Sequence, residues 1–443
     1  MLKGGASEAK SIHSIIREKQ KAPLANIGFE ADDLAKLFAL IKKEKSIALA
    51  VSGGKDSLAL MVLVCQWLEG NFTEKNSPEV FIYSVDHGLR AEAANECELV
   101  KKLALEFGFS HKTLIWSGEK PMTGLQAAAR KARYALLGKQ MLKDGVKTLL
   151  TGHHLDDQGE TVLMRLTHGS GIGGLSAMAA FSNVEGTRIF RPLLSLRSKQ
   201  LALIVKKSGL EAVDDPSNED QKYERVRWRK FLQTSGEIGL SAPVLAKFAN
   251  RMERADTALE HFANEQYKNI VFRDKFSVQW SDLDKLASQP EEIGIRLLEK
   301  MIFIGSGGRG FGELSKREKL YERLFVDGFT GEVIAGCAIV LWRGKLVVFR
   351  EFSRVVSTQT RLKPEEEIIW DQRFIIKNLG QGPLKVGPAK DLSRQQLFQL
   401  IPDQGQIKMD WIRSAPLVVD EAGEVLAIGA FRFSKALKCY LLD

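Results

Sequence analysis

The sequence predicts an α/β protein: a parallel sheet with helices on both faces, then a mostly helical domain and a small α+β C-terminal domain. Three observations carry this expectation. Apolar β-type runs alternate with helix-like stretches between residues 47 and 151, the pattern of successive βαβ units. A glycine-rich hexapeptide, Ser52-Gly53-Gly54-Lys55-Asp56-Ser57, stands where the first strand-like run hands over to a helix. From about residue 231 the pattern changes to long amphipathic helices, and the last ~90 residues mix short β runs with one helix. At 443 residues the chain exceeds what one core usually supports, and 44% apolar residues allow two or three buried cores.

Taken in order, residues 1–24 read as a polar, Lys-rich extension with some helical spacing. Residues 25–230 form the expected α/β domain, with strands near 47–51, 80–85, 112–116 and 147–151 and helices near 58–68, 91–107 and 125–142. Open parallel sheets bind ligands at the carboxyl ends of their strands. Segments 52–57, 86–90 and 152–157 all fall just after predicted strands. Residues 231–355 read as a helical domain with helices near 242–266 and 290–304, then a hairpin over 332–351 that turns at Arg343-Gly344. Residues 356–443 carry β runs at 367–370, 417–419 and 425–428 and a helix near 393–400.

The net charge of +9 favours a polyanionic partner, although ATP alone would need only a local patch, and makes nucleic acid a candidate. Cys65, Cys97, Cys337 and Cys439 are far apart and form no CxxC pair, so neither a zinc ribbon nor a disulfide framework is signalled. With no signal-peptide apolar core and no apolar run near the ~20 residues of a membrane helix, the expectation is a soluble cytoplasmic protein with no membrane partner. A homodimer is left open.

A strand that turns on glycines into a helix aims unpaired N–H groups and a helix dipole at one point, which suits phosphate oxygens. The spacing is not that of the common P-loop, which has four residues between its first Gly and its Gly-Lys-Ser/Thr. The compact form with Asp56 resembles the PP-loop of the ATP pyrophosphatases, which split ATP to AMP and pyrophosphate and activate an oxygen as its adenylate. That resemblance implies phosphate contacts from Gly53, Gly54, Ser52 and Ser57, added charge from Lys55, and Mg²⁺ on Asp56. The same residues would also serve an ordinary turn with an Asp/Ser helix cap.

Thr151-Gly152-His153-His154-Leu155-Asp156-Asp157-Gln158-Gly159-Glu160-Thr161 lies at the end of the fourth strand-like run. Three readings stay open. His153 with Asp156 and Asp157 would share a helical face suited to zinc; Asp156 or Asp157 would cap the helix; or a carboxylate here would face the hexapeptide and share its Mg²⁺.

Together with the hexapeptide, Arg130-Lys131-Ala132-Arg133-Tyr134, the segment 151–161, Gly174-Leu175-Ser176-Ala177-Met178, Arg191-Pro192-Leu193-Leu194 and Asp215-Pro216-Ser217-Asn218 occur in register over residues 46–229. In this order they resemble the tRNA(Ile)-lysidine synthases, and Trp411-Ile412-Arg413-Ser414-Ala415-Pro416-Leu417 is similar to that family's last domain, more loosely. The resemblance implies a PP-loop ATPase domain that uses ATP and Mg²⁺ to adenylate the wobble cytidine of the CAU-anticodon tRNA(Ile). Free L-lysine then displaces AMP to give lysidine. It assigns Asp56 and Asp157 to metal and ATP chemistry, His153 to orienting nucleotide or substrate, Arg133 to charge at the ATP site, and 174–178 to the substrate pocket. Two departures stand out: His168 where the family often has Arg, and Val226 where it usually has Asn.

Lys222, Arg225, Arg227, Arg229 and Lys230, interleaved with Tyr223 and Trp228, form the densest basic cluster. Cations beside aromatic planes suit single-stranded RNA such as an anticodon loop, and the alternating arginines would share one face if the segment were extended. A solvated linker is the plainer reading. The GxGxxG strings at 169–174 and 305–310 each follow helix-like runs, so the dinucleotide reading lacks its context; the second reads as a flexible link. Cys65, on the apolar helix after the hexapeptide, reads as buried packing.

The competing class is a PP-loop tRNA thiolase or another adenylating tRNA-modifying enzyme, but thiolation needs persulfide or iron–sulfur chemistry, usually from paired cysteines. An amidotransferase would need a glutaminase. Five of the seven histidines, His87, His111, His153, His154 and His168, fall in the ATP-binding half. A non-catalytic RNA-binding protein would have no use for both SGGKDS and HHLDD.

Overall fold

The computed structural model describes residues 28–442 apart from 74, 90, 91, 214–218, 311, 356–358 and 402–407. The extension 1–24, Arg90 and the 215–218 motif therefore lie outside the described residues. The chain divides into two compact units, Met1–Arg254 and Ala255–Asp443.

In the first unit, helix α1 (Ala31–Leu37) precedes β1 (Ser46–Ala50), α2 (Lys55–Asn71), β2 (Glu79–Asp86), α3 (Glu92–Glu106), β3 (Ser110–Ile115), α4 (Leu125–Asp144) and β4 (Leu149–Leu150). Then come α5 (Leu155–Thr167), α6 (Ile172–Leu175), β5 (Phe181–Val184), β6 (Thr187–Phe190), α7 (Ser198–Lys207) and α8 (Glu224–Thr234). The sheet order is β3-β2-β1-β4-β6-β5, parallel except for β5, which joins β6 in an antiparallel hairpin. That hairpin escaped the sequence reading because its strands have four residues each and carry little periodic signal. Its turn is marked only by Glu185 and Gly186, both at positive φ.

Both faces of the sheet are covered, as the alternation in β1 requires. Ile47, Leu49 and Val51 join the core that contains α2, with Val100 and Ala104 of α3 and Leu201, Ile204 and Val205 of α7. Ala48 and Ala50 point the other way and pack with Tyr134, Leu137 and Met141 of α4. Helix α2 is buried nearly all round from Ser57 to Leu68, so it has no polar face to present to water. Burying each of its Leu side chains is worth about 1.5–3 kcal/mol, which anchors the loop at its N-terminus. The chain reverses direction between β1 and β4, neighbours in the sheet whose crossovers run opposite ways. Such a switch point opens a crevice at the strand ends, and residues 52–57 and 151–157 border it.

Helix α9 (Ala242–Ile270) begins in the first unit and ends in the second. The second unit adds β7 (Phe272–Arg273), β8 (Gln279–Asp282), α10 (Leu283–Ala287), α11 (Glu291–Gly305), α12 (Leu314–Arg323), β9 (Glu332–Ile334), β10 (Cys337–Trp342) and β11 (Lys345–Arg350). The β10–β11 hairpin turns at Arg343-Gly344, both at positive φ as a two-residue turn demands. It is the centre of a five-stranded sheet, β7-β8-β11-β10-β9, so this region holds more strand than its helical periodicity announces. The 305–310 string is an ordered turn: the Ser306 hydroxyl bonds the Phe303 and Arg309 carbonyls. The remaining described residues include two small sheets, the helix Arg394–Leu400, which is capped by Ser393, and a short helix, Met409–Ile412.

Candidate functional site

The hexapeptide forms a tight cradle at the end of β1. Gly53 sits at φ +83°, where a side chain would be strained, and Gly54 is the N-cap of α2. The Ser57 hydroxyl accepts from the Ser52 N–H at 3.2 Å and donates to the Gly54 carbonyl at 2.9 Å, so it braces the loop from inside. Among the described residues, nothing accepts from the backbone N–H groups of Gly53, Gly54, Lys55 or Asp56. A helix N-terminus with free donors of this kind is built for an anion.

The second motif is pressed against the first. A Cβ on Gly152 would lie 2.8 Å from the Asp56 carbonyl oxygen and 3.1 Å from the Ser57 nitrogen, so only glycine permits this approach. His154 is the N-cap of α5: its N–H donates to Asp157 Oδ2 at 2.9 Å, and its Nδ1 accepts from the Asp157 N–H at 3.4 Å. With Nδ1 accepting, Nε2 carries the proton, 3.5 Å from Asp56 Oδ2 and 3.6 Å from Asp157 Oδ2. The sequence reading singled out His153 to orient nucleotide or substrate; the imidazole between the two carboxylates is that of His154. Residue spacing alone could not separate two adjacent histidines; the cap position, one residue before the helix, is the signal that does.

Charges around Asp56 are balanced closely. Burial pushes its pKa up, but the hydrogen bond and charge of His154 and the charge of Lys55 more than offset this and hold it below the ordinary value. Lys55 Nζ lies 2.7 Å from Asp56 Oδ1 and 2.7 Å from Ser198 Oγ. For His154, burial pulls the ring down, while the hydrogen bond to Asp56 and the charge of Asp157 raise it above its ordinary value. Asp156, 3.8 Å from His154 Nδ1, caps α7, accepting from the Ser198 N–H at 2.7 Å and from Arg197 Nε at 2.9 Å.

His153 precedes the helix, so it does not share a helical face with Asp156 and Asp157; its Nδ1 meets Thr151 Oγ1 at 2.8 Å. Burial, then the charges of Arg191, Arg225, Arg133 and Arg130, push it down to about 2. No group of three or more His, Cys, Asp or Glu among the described residues is arranged as a metal cluster, so the zinc arrangement is not formed. The donor set does fit a hard cation. Mg²⁺ takes one or two carboxylates plus phosphate oxygens, and Asp56 and Asp157 both lie within 3.6 Å of His154 Nε2, beside the glycine-rich loop.

The basic segment is helical rather than extended, which changes what its arginines share. At 100° per residue, Arg225 and Arg229 lie on one face and Arg227 on another. Arg225 binds Glu160 at 2.7 Å and Asp157 at 3.1 Å, and Arg229 binds Glu160 at 2.7 Å. Glu160 is 1% exposed, so these pairs hold α8 against α5. Lys222, Arg227 and Lys230 stay exposed. Arg133 is half-buried on α4, and burial pushes it below its ordinary value. The 174–178 segment is clasped to α5: Gln158 exchanges two 2.8 Å hydrogen bonds with the Met178 backbone, and Arg165 donates to the Gly174 and Ala177 carbonyls at 2.5 and 2.7 Å. Neither clasp was foreseen from the sequence.

Residues 29–235 match the PP-loop domain family. A tRNA(Ile)-lysidine synthase of Bradyrhizobium sp. strain BTAi1 is 40% identical over 321 residues, covering 69% of this chain and 88% of the relative. The chain belongs to the tRNA(Ile)-lysidine synthase family. The lysidine synthase of Wolbachia pipientis wMel is 33% identical over 359 residues, with 81% of this chain and 82% of the relative covered. Among solved structures, the U34-tRNA thiolase of Methanococcus maripaludis with its [4Fe-4S] cluster aligns at a TM-score of 0.43 and 16% identity, over 54% of this chain and 80% of that one. The two departures from the family's pattern have local explanations. His168 meets Glu224 at 3.1 Å, and Val226 is the buried residue of α8, at 7% exposure.

Proposed function

We propose that this protein ligates free L-lysine to the wobble cytidine of a CAU-anticodon tRNA(Ile), spending ATP to AMP and pyrophosphate. The observation that carries the reading is the meeting of Asp56 and Asp157 at His154 Nε2, beside a loop of free N–H donors. The carbonyl oxygen of cytidine leaves poorly, whereas its adenylate leaves well. The N–H groups of Gly53 and Gly54 and the hydroxyl of Ser52 would hold the outer phosphates, with Lys55 supplying charge. Mg²⁺ on Asp56 and Asp157 would neutralise charge on the departing pyrophosphate. Arg133 adds positive charge from α4.

The attacking ammonium, with an unperturbed pKa near ~10.4, must lose a proton. His153, down at about 2, is too weak a base for that and serves to orient; the proton goes to a carboxylate. Of the basic cluster, Lys222, Arg227 and Lys230 are exposed and would meet RNA phosphates, while Arg225 and Arg229 hold the carboxylates in place. A thiolase reading finds no support in the cysteines. All four are buried, and burial pushes Cys97 up to about 11, Cys337 and Cys439 up to about 12, and Cys65 further.

The test is incubation with ATP, labelled lysine and either CAU-anticodon tRNA(Ile) or elongator methionine tRNA. Label in the isoleucine tRNA alone is expected; label in neither sinks the proposal. In the same assay Asp56→Ala should abolish AMP release while leaving tRNA retention on a filter largely intact. Normal AMP release from that variant would remove Asp56 from the role given to it.

A further inference from the structure

Positive charge around His153 exceeds what the PP-loop and its carboxylates account for. Arg191, the first residue after β6, is 5% exposed, and its Nε is buried with no hydrogen-bond partner among the described residues. Its Nη1 donates to the Ala179 carbonyl at 2.9 Å, and its backbone N–H to Ala180 at 2.8 Å. Among the described residues, no carboxylate lies within ion-pair distance of Arg191, Arg133 or Arg130, whereas Arg225 and Arg229 are neutralised by Asp157 and Glu160. A buried guanidinium without a counter-ion is costly.

Strand alternation gathers these groups on one side. Tyr83 and Val85 of β2 and Ile189 of β6 face α4, so His87 and Arg191, two residues further along, leave their strands towards α4 as well. The Thr151 N–H donates to the Phe190 carbonyl at 3.1 Å, which joins the ends of β4 and β6, and Thr151 in turn holds His153. Arg130 and Arg133 lie on α4 in the turn that includes Tyr134, with Arg130 Cζ 5.0 Å from the Tyr134 ring. His87 Nδ1 is likewise buried and unpartnered among the described residues. Burial and neighbouring cations push both His87 and His153 below their ordinary values, so both rings stay neutral and add no charge of their own.

We propose that Arg191, with Arg130 and Arg133, forms a second phosphate-binding site, on the α4 face of the sheet and so opposite the face that carries α2, which holds one phosphodiester-type monoanion. The planar fork of arginine matches two phosphate oxygens, and the unpartnered Nε of Arg191 supplies one prong. Two groups of this chemistry enter under the proposed function: the α-phosphate that becomes the adenylate, and the RNA phosphate beside the target base. The inference rests on that reading.

Calorimetric titration of the full-length protein with AMP, with inorganic pyrophosphate and with a CAU anticodon stem-loop RNA tests it in the wild type, Arg191→Gln, Arg191→Lys and Arg130→Gln. The expected result for Arg191→Gln is at least a tenfold loss of affinity for AMP, if the adenylate is the source, or for the stem-loop, if the RNA is. Pyrophosphate binding should move less than twofold, and Arg191→Lys should recover part of the loss. Unchanged AMP and RNA binding overturns the site, as does an equal loss of pyrophosphate binding. Should Arg191→Gln not fold, Arg130→Gln, at an exposed position, decides by the same criteria. A wild type that makes no lysidine while Arg191→Gln still loses AMP would overturn the proposed function and leave this site standing.

Discussion

At Asp56 three groups converge: Lys55 from the same turn, His154 from the next motif, and the N-terminus of α2 behind them. His154 and Lys55 pull the carboxylate towards its charged form against burial, and together they win. Asp274, in the β7–β8 turn of the second unit, shows the opposite balance. Its Oδ1 accepts from the Phe276 and Val278 N–H groups at 2.9 Å each, yet burial dominates and pushes it up to about 6. A carboxyl raised in the folded state stabilises fully only below its unfolded pKa, and that contribution is lost as pH rises through about 6. Asp274→Asn keeps the carbonyl acceptor and removes the charge. It should leave stability at pH 4 nearly unchanged and raise it at pH 8 by roughly 3 kcal/mol, as read by calorimetric melting at both pH values. Equal effects at the two pH values would show that the charge is not the cause.

At the scale of elements, α5 ties the site together. Its first turn presents Asp157 to the cradle, Gln158 and Arg165 clasp the 174–178 segment, and Glu160 draws in α8. The approach of this motif to α2 depends on Gly152. In Gly152→Ala the new Cβ would meet backbone atoms of Asp56 and Ser57 that cannot swing aside as a side chain would. Overpacking of this kind costs about 1–3 kcal/mol and should shift the N-terminus of α2. ATP–pyrophosphate exchange is expected to fall at least tenfold while circular dichroism stays native. An alanine variant with full exchange would mean that the cradle tolerates the displacement. The basic segment teaches a related lesson. Letters alone permit an extended strand with three aligned arginines, but Val226 and Trp228 pack inward as parts of a helix, and the fold splits the set.

For the whole molecule, the charge of +9 is a statement about partners rather than about fold. Two compact units are linked through α9, and no helix among the described residues is long and apolar enough to cross a membrane. If tRNA is held largely through phosphates, its affinity should fall by roughly tenfold or more between 50 and 200 mM salt. ATP binding without tRNA should change far less. Filter binding of tRNA and calorimetric titration with ATP across a salt series measure both, and a flat tRNA affinity would point away from phosphate contacts.

The β/α alternation, the glycine-rich turn and the start of α5 were legible because each is local: a strand, a turn and a helix cap are written within a few residues, whereas the pairing of Asp56 with Asp157 came from the family resemblance. Only the tertiary structure chose His154 over its neighbour, neutralised Arg225 and Arg229 with Glu160, and left Arg191 without a counter-ion. Those outcomes depend on contacts between residues tens of positions apart, where strand order and helix packing, not spacing along the chain, decide which charges meet.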